Sequence, residues 1–408
     1  MKQFILFICL LLVIPCPIIA EDSTQTILMN HLAKVSNKRG LISNETFAHS
    51  MFQLFRNHHP RQYRASDNET IRYQIFQNIL QAAIESAIEP NLTFTVGLNN
   101  FSDWTSMELE VLRGNRPPPS TERTDYVTIT FSRRKQATVS ATETNNQSVA
   151  SSLSSSPSPP AAFDYTTQVS ALNTSVPIIR PVRYQGSCGS CYAFALNTLF
   201  EAQYAFRYGQ GVDISNQQIV DCSTRDHGCY GGYFTTSFTY VQNYNWYLDS
   251  ALKYPYKAVT STCAATQTDG WSVGNSVYRH LTPGNATDMQ QALVTYGPLW
   301  VSLYAGSNCA STTNCPVNST LASKILYTFQ SYKSGVFAVN GCITSPANNN
   351  HAMVIVGYGY DSISNLDYWK VRNSWGVGWG ENGYIRIQRG VNMCNIESDA
   401  FLIAKPAP

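Results

Sequence analysis

In the run QGSCGSCYAF, residues 185–194, Cys188 and Cys191 stand three apart. That spacing serves a dithiol redox couple, half of a zinc site, or two thiols with separate work. The other cysteines separate these readings. The chain has 11, and without Cys9 and Cys16 of its apolar N-terminus nine remain, all between Cys188 and Cys394. A redox pair normally follows a strand of a βαβ unit, whereas Pro181 and RYQGS precede this one. Zinc would need a second close pair of ligands. Cys222 and Cys229 are seven apart, Cys309 and Cys315 six, and the region holds no histidine pair. An odd number of cysteines in a disulfide-forming compartment leaves one thiol over.

Cys191 is the candidate for that thiol. It opens the run YAFALNTLFEAQYAFRYG, which is apolar nearly all round and predicts a buried helix ended by Gly209, with Ser190 or Ser187 as cap. A thiolate at a helix N-terminus is stabilised by the dipole and the free N–H groups, and it becomes a nucleophile if a histidine reaches it. Three histidines follow residue 160. His227 lies beside a tight turn and His280 ends an apolar run, and both read as structural. His351 leads into the strand-like run AMVIVGYGY, on an edge that can face a helix across a cleft. Asn373 ends the next strand-like run, so a hairpin would set its amide oxygen against the His351 ring and fix the tautomer. Trp375 is placed to shield that hydrogen bond.

QGSCGSCYAF, NNHAMVIVGYG and NSWGVGWGENGYIRI together resemble the papain-like cysteine proteases of the cathepsin type. The resemblance covers essentially all of 160–408. It implies Cys191 as nucleophile, His351 as base and then acid, Asn373 as the orienting residue, and Gln185 with the Cys191 N–H as donors to a tetrahedral oxyanion. The thiol would then ionise well below its ordinary range. No cofactor or metal is implied. Family pairing gives disulfides Cys188–Cys229, Cys222–Cys263 and Cys342–Cys394. Cys309–Cys315 lies in an insert near 305–328, and its spacing permits a local bridge.

The same resemblance extends outward. CYGGYF resembles the strip that binds the substrate backbone, at Gly232. Tyr233, Phe234, Ala352 and Ser302 would wall the pocket for the second residue before the scissile bond, with Asp399 at its base. An acid there implies tolerance of Arg beside apolar groups. VGLNNFSDW resembles a stretch of the family's inhibitory prodomain, with Gly97, Asn99, Phe101 and Asp103 in place, and Arg72 and Phe76 fit that prodomain's long helix. Asp164 stands further from Cys191 than is usual, which predicts an insert containing Asn173. Nothing corresponds to the loop that makes one branch of the family a dipeptidase, so an endopeptidase is expected. An exopeptidase on the same fold and an inactive peptide-binding homologue are the alternatives.

These residues must be carried by a chain whose composition divides it. MKQFILFICLLLVIPCPIIAED has a positive start, an apolar run too short for a membrane span, and small residues, so 1–20 reads as a signal peptide. Residues 21–112 lack cysteine. In IRYQIFQNILQAAIESAI they place Ile71, Ile75, Phe76, Ile79, Leu80, Ala83 and Ile84 on one helical face, as a helical prodomain would. Residues 113–160 are rich in Ser, Thr and Pro and read as a flexible linker and activation segment, cut near 155–162. Residues 161–408 are helical first and then strand-like, which predicts an α+β protein with a cleft. The family's version is papain-like and two-lobed, helical on one side and β-barrel-like on the other.

Net charge of +2 gives no case for nucleic acid. Eight N-x-S/T sequons, at Asn44, Asn68, Asn91, Asn100, Asn146, Asn173, Asn285 and Asn318, fit a secretory route to a lysosome, a vacuole or the exterior. The expected partners are polypeptide substrates and the chain's own propeptide, with no membrane insertion after signal cleavage and a monomeric enzyme.

Overall fold

The computed structural model describes residues 24–60, 68–89, 91–117, 128–131, 137–140, 158–307, 319–342 and 345–404. The signal segment, the Cys309–Cys315 bridge and the sequons at Asn146 and Asn318 lie outside the described residues, as does the first part of the expected cut.

Helices Thr24–Lys34, Glu45–His58 and Glu69–Ile88 form a core of their own. Asn44 and Asn68 cap the second and third by accepting from the N–H groups of Phe47 and Thr70. The second helix buries Ala48, Met51, Phe52 and Phe55, a stripe at helical spacing. The third buries Phe76, Ile79, Leu80, Ala83 and Ile84, but Ile71 is 48% exposed, off the stripe that the sequence suggested. Arg72 takes the inner position instead and pairs in two places with Glu108. Glu108 belongs to a capping box with Thr105 at the start of helix Ser106–Val111.

The strands, in chain order, are β1 (Phe94–Val96), β2 (Thr128–Phe131), β3 (Ala137–Ser140), β4 (Phe163–Asp164), β5 (Val169–Ser170), β6 (Asn173–Pro177), β7 (Tyr247–Asp249) and β8 (Gly270–Ser272). They continue with β9 (Val277–Leu281), β10 (Leu299–Leu303), β11 (Tyr332–Phe337), β12 (His351–Asp361), β13 (Leu366–Arg372), β14 (Tyr384–Gln388) and β15 (Ala400–Ala404). One sheet runs β1-β11-β14-β13-β12-β10-β15-β9-β2-β3, with β4 added beside β12. Among the described residues this path does not close. The expected barrel-like half is an open mixed sheet, because its two ends are extended by strands from before residue 161 instead of meeting each other. The segment 113–160 therefore contributes β2 and β3 to the sheet.

Helix Cys191–Tyr208 is buried along nearly its whole length against β12, and ends where Gly209 takes a left-handed φ of +60°. Ser190 precedes it without capping through its side chain, since its hydroxyl is held by the Tyr256 hydroxyl at 2.6 Å. Ser215 caps helix Asn216–Cys222 by accepting from the Gln218 N–H. β5 and β6 pair as a hairpin around Asn173. Three disulfides link Cys188–Cys229, Cys222–Cys263 and Cys342–Cys394, and among the described residues the free cysteine is Cys191.

Candidate active site

Cys191 is the first residue of its helix, and the Cys188–Cys229 bridge ties down the loop before it. The Ala352 N–H points at its Sγ from 3.4 Å, which sets the thiol against the first peptide of β12. His351 begins β12 and Asn373 directly follows β13, its antiparallel partner. That hairpin brings His351 Nε2 to 2.9 Å from Asn373 Oδ1. The tautomer that donates the Nε2 N–H to the amide oxygen leaves the Nδ1 lone pair for a base, with the Leu112 backbone beside the ring. The Trp375 ring packs on the imidazole with centroids 4.8 Å apart, and both residues are buried.

Gln185 is fixed on every side. Its N–H donates to the Ser374 carbonyl at 2.8 Å and its Oε1 accepts from the Ser374 hydroxyl at 2.6 Å. The carbonyl accepts from the Tyr256 hydroxyl at 2.7 Å. Nε2 is shared between the Cys188 carbonyl at 2.7 Å and the Leu112 carbonyl at 3.0 Å.

Leu112 belongs to a segment that sequence reading divided between a prodomain and a linker. Residues 112–116 instead pass straight across the thiol. Gly232 donates to the Gly114 carbonyl at 2.8 Å and accepts from the Arg116 N–H at 2.9 Å, so Asn115 pairs with Gly232 in parallel. Asn115 also donates from its backbone to Asn350 at 3.0 Å and from Nδ2 to the Asn349 carbonyl at 2.9 Å. Arg113 is buried, with Nε on the Ala305 carbonyl at 3.2 Å. The fit at Gly114 is close: a Cβ there would lie 1.6 Å from the Gly189 carbonyl oxygen. No local motif announces these contacts, which join residues more than seventy positions apart.

The cover changes the electrostatics. Burial raises the Cys191 thiol, only partly opposed by the N–H groups of Ala352, Gly114 and Tyr192 and by the Arg116 charge. Burial also pushes His351 down to about 3, opposed by the Asn373 hydrogen bond and a hydrogen bond to the Leu112 backbone, with the Arg113 charge adding to the fall. Both shifts favour the neutral forms of thiol and imidazole. The direction is opposite to the lowered thiol expected from sequence, because burial outweighs the nearby N–H donors.

The residues expected from sequence to wall a pocket lie together beside Gly232 and β12. Tyr233, Phe234, Ser302, Ala352 and Asp399 are all buried, with Ser302 opposite Ala352 in the β10–β12 register. The Asp399 carboxylate accepts from the hydroxyls of Tyr233 and Ser302. His280, read from sequence as structural, reaches the same carboxylate at 3.4 Å. His227 lies exposed in its loop, with its backbone N–H on the Gly231 carbonyl at 2.7 Å.

Comparison with known proteins agrees with this geometry. The family model "Papain family cysteine protease" matches residues 160–312 and 308–404, and "Cathepsin propeptide inhibitor domain (I29)" matches 52–109. Thiol protease aleurain of Arabidopsis thaliana is 28% identical over 355 residues, covering 86% of this chain and 82% of that protein. Ananain of Ananas comosus is 32% identical over 349 residues, covering 83% of each. The solved structure of digestive procathepsin L2 proteinase from Tenebrio molitor larval midgut is 28% identical, with a TM-score of 0.67 over 88% of this chain and 100% of that one.

Proposed function

Because the chain belongs to the papain family of cysteine proteases and carries that family's inhibitory propeptide, we propose that it is a zymogen of an endopeptidase acting through Cys191, His351, Asn373 and Gln185. His351 Nδ1 takes the thiol proton and the sulfur attacks the scissile carbonyl carbon. The oxyanion that forms is held by Gln185 Nε2 and the Cys191 N–H. His351 then gives its proton to the departing amine, leaving a thioester. Water, deprotonated by His351, attacks the thioester, and the carboxylic product leaves as Cys191 recovers its proton.

The observation that carries this reading is the Leu112 carbonyl on Gln185 Nε2 at 3.0 Å. A peptide carbonyl already sits at the donor that the mechanism assigns to the oxyanion. Beyond Leu112 the chain proceeds toward Gly232 and the Asp399 pocket. In a substrate, the residues on that side come before the scissile carbonyl. The propeptide thus lies in the cleft backwards, and attack on Leu112 would meet a reversed chain. Peptide continues on both sides of the thiol, from helix Ser106–Val111 to Arg116, which favours internal cleavage over removal of end residues. In this reading Gly232 holds the substrate backbone. Tyr233, Phe234, Ser302 and Ala352 wall the second subsite, Asp399 forms its base, and Trp375 shields the His351–Asn373 bond. The disulfides fit a secretory route, ending in a lysosome, a vacuole or outside the cell.

The test is expression of residues 21–408, acidification, and hydrolysis of peptides blocked at both ends. Activity should appear as the propeptide is lost. It should vanish with an epoxysuccinyl thiol inhibitor and in Cys191→Ala. A requirement for a free terminus would turn the reading to an exopeptidase, and a processed, folded chain without turnover would reject the peptidase.

A further inference from the structure

Asp399 lies just before β15, with its side chain only 4% exposed. Three donors converge on it. The Tyr233 hydroxyl meets Oδ1 at 2.7 Å, the Ser302 hydroxyl meets Oδ2 at 2.5 Å, and His280 Nε2 lies 3.4 Å from Oδ1. His280 comes from β9, whose register with β15 sets it opposite Phe401, and the two rings pack at 4.7 Å. Burial alone would raise the carboxyl, but the His280 hydrogen bond and charge, with Ser302 and Tyr233, hold it below the usual carboxylate range. The charge is present and directed into the wall.

What the chain itself places beside this wall is neutral. Asn115, bracketed by the Gly232 ladder, donates to the Asn349 carbonyl at 2.9 Å, and Asn349 Nδ2 donates to the Ser302 hydroxyl at 2.9 Å. The described contacts from Asn115 toward Asp399 thus pass through amides and a hydroxyl. An arginine entering from a substrate would have to displace donors already in place, and a desolvated guanidinium without a partner is costly.

We propose that His280 is a specificity-determining residue of the second subsite: its pairing with Asp399 withdraws that carboxylate from the pocket, which then takes neutral apolar or amide side chains in preference to arginine. This rests on the reading of the chain as a peptidase with Asp399 at the base of that subsite. The Arg tolerance that an acid there would confer is held off by a residue on a neighbouring strand.

The experiment measures kcat/KM of the activated enzyme on two blocked dipeptide reporters, Leu-Arg and Arg-Arg. Wild type should favour Leu-Arg by about tenfold or more. His280→Leu should raise the Arg-to-Leu ratio by about tenfold, and adding Asp399→Asn should return it to the wild-type value. Asp399→Asn alone should leave the ratio within about twofold. An unchanged ratio in His280→Leu overturns the proposal, as does a fall in the ratio with Asp399→Asn alone. If His280→Leu does not fold, the Asp399→Asn ratio decides. Absence of Cys191-dependent turnover of Leu-Arg by wild type counts instead against the peptidase reading.

Discussion

Gln185 Nε2 donates to the backbone carbonyl of Leu112 at 3.0 Å, so the donor proposed for the oxyanion is already engaged by the propeptide. Gln185→Ala should lower kcat/KM on peptide reporters by about 10²–10³, mostly in kcat, because the bond is strongest on the tetrahedral oxyanion. The same substitution removes a contact to the propeptide, so the variant zymogen should also be processed sooner by an added active protease. Steady-state kinetics and a processing time course read the two effects separately.

Gly114 has no space for a side chain, since its Cβ would meet the Gly189 backbone. Gly114→Ala should lift residues 112–116 from the thiol while leaving the peptidase core unchanged. Alkylation of Cys191 by a small neutral reagent is the measurement. It should be slow in the wild-type zymogen, where the thiol is fully buried and raised, and should rise at least about tenfold in the variant. An unchanged alkylation rate would show that the segment does not guard the sulfur.

The cover should loosen in acid through His351. Cys191→Ala removes both self-cleavage and the coupled thiol, leaving the histidine to titrate alone. Covered, the ring sits at about 3; exposed, it returns to about 6.5. In that window the uncovered state binds one more proton. The covered state is therefore fully favoured above the exposed value and weakens as pH falls, by up to about tenfold per unit. Hydrogen exchange of residues 112–116, corrected for intrinsic rates, should show that slope, and His351→Gln should flatten it.

Arg72 is buried and bidentate on Glu108, and its Nη1 also donates to the Asp103 carbonyl at 2.9 Å. Arg72→Met leaves Glu108 without its cation and should destabilise the N-terminal helices by about 3 kcal/mol or more. Denaturant unfolding of the Cys191→Ala zymogen should then show the N-terminal core melting first, with the transition of the larger core unmoved.

What the sequence made legible was carried by contiguous patterns. The nucleophile's helix is bounded by Cys191 and Gly209, and His351 and Asn373 flank strands that differ plainly from their turns. The three described bridges followed the family's order. What stayed hidden depends on register between distant elements. His280 meets Asp399 only because β9 lies beside β15 with His280 opposite Phe401. Asn115 meets Gly232 only because the N-terminal helices dock elsewhere and pull the chain through the cleft. The stripe that counted Ile71 as buried also gave no hint that an ion pair would displace it. The sheet's failure to close could not be read either, since both of its ends are made by strands from outside the peptidase segment.

One of those ends has a further consequence. β1 lies along β11 with Phe94 opposite Gly335, and the Val336 N–H is held by the Thr93 carbonyl at 2.5 Å. Activation removes that neighbour. Amides and carbonyls along β11 that were interior to the sheet then become its boundary, free to pair with another extended chain. Edge-on pairing at β11 is thus open to the activated protein and closed, at that strand, in the precursor.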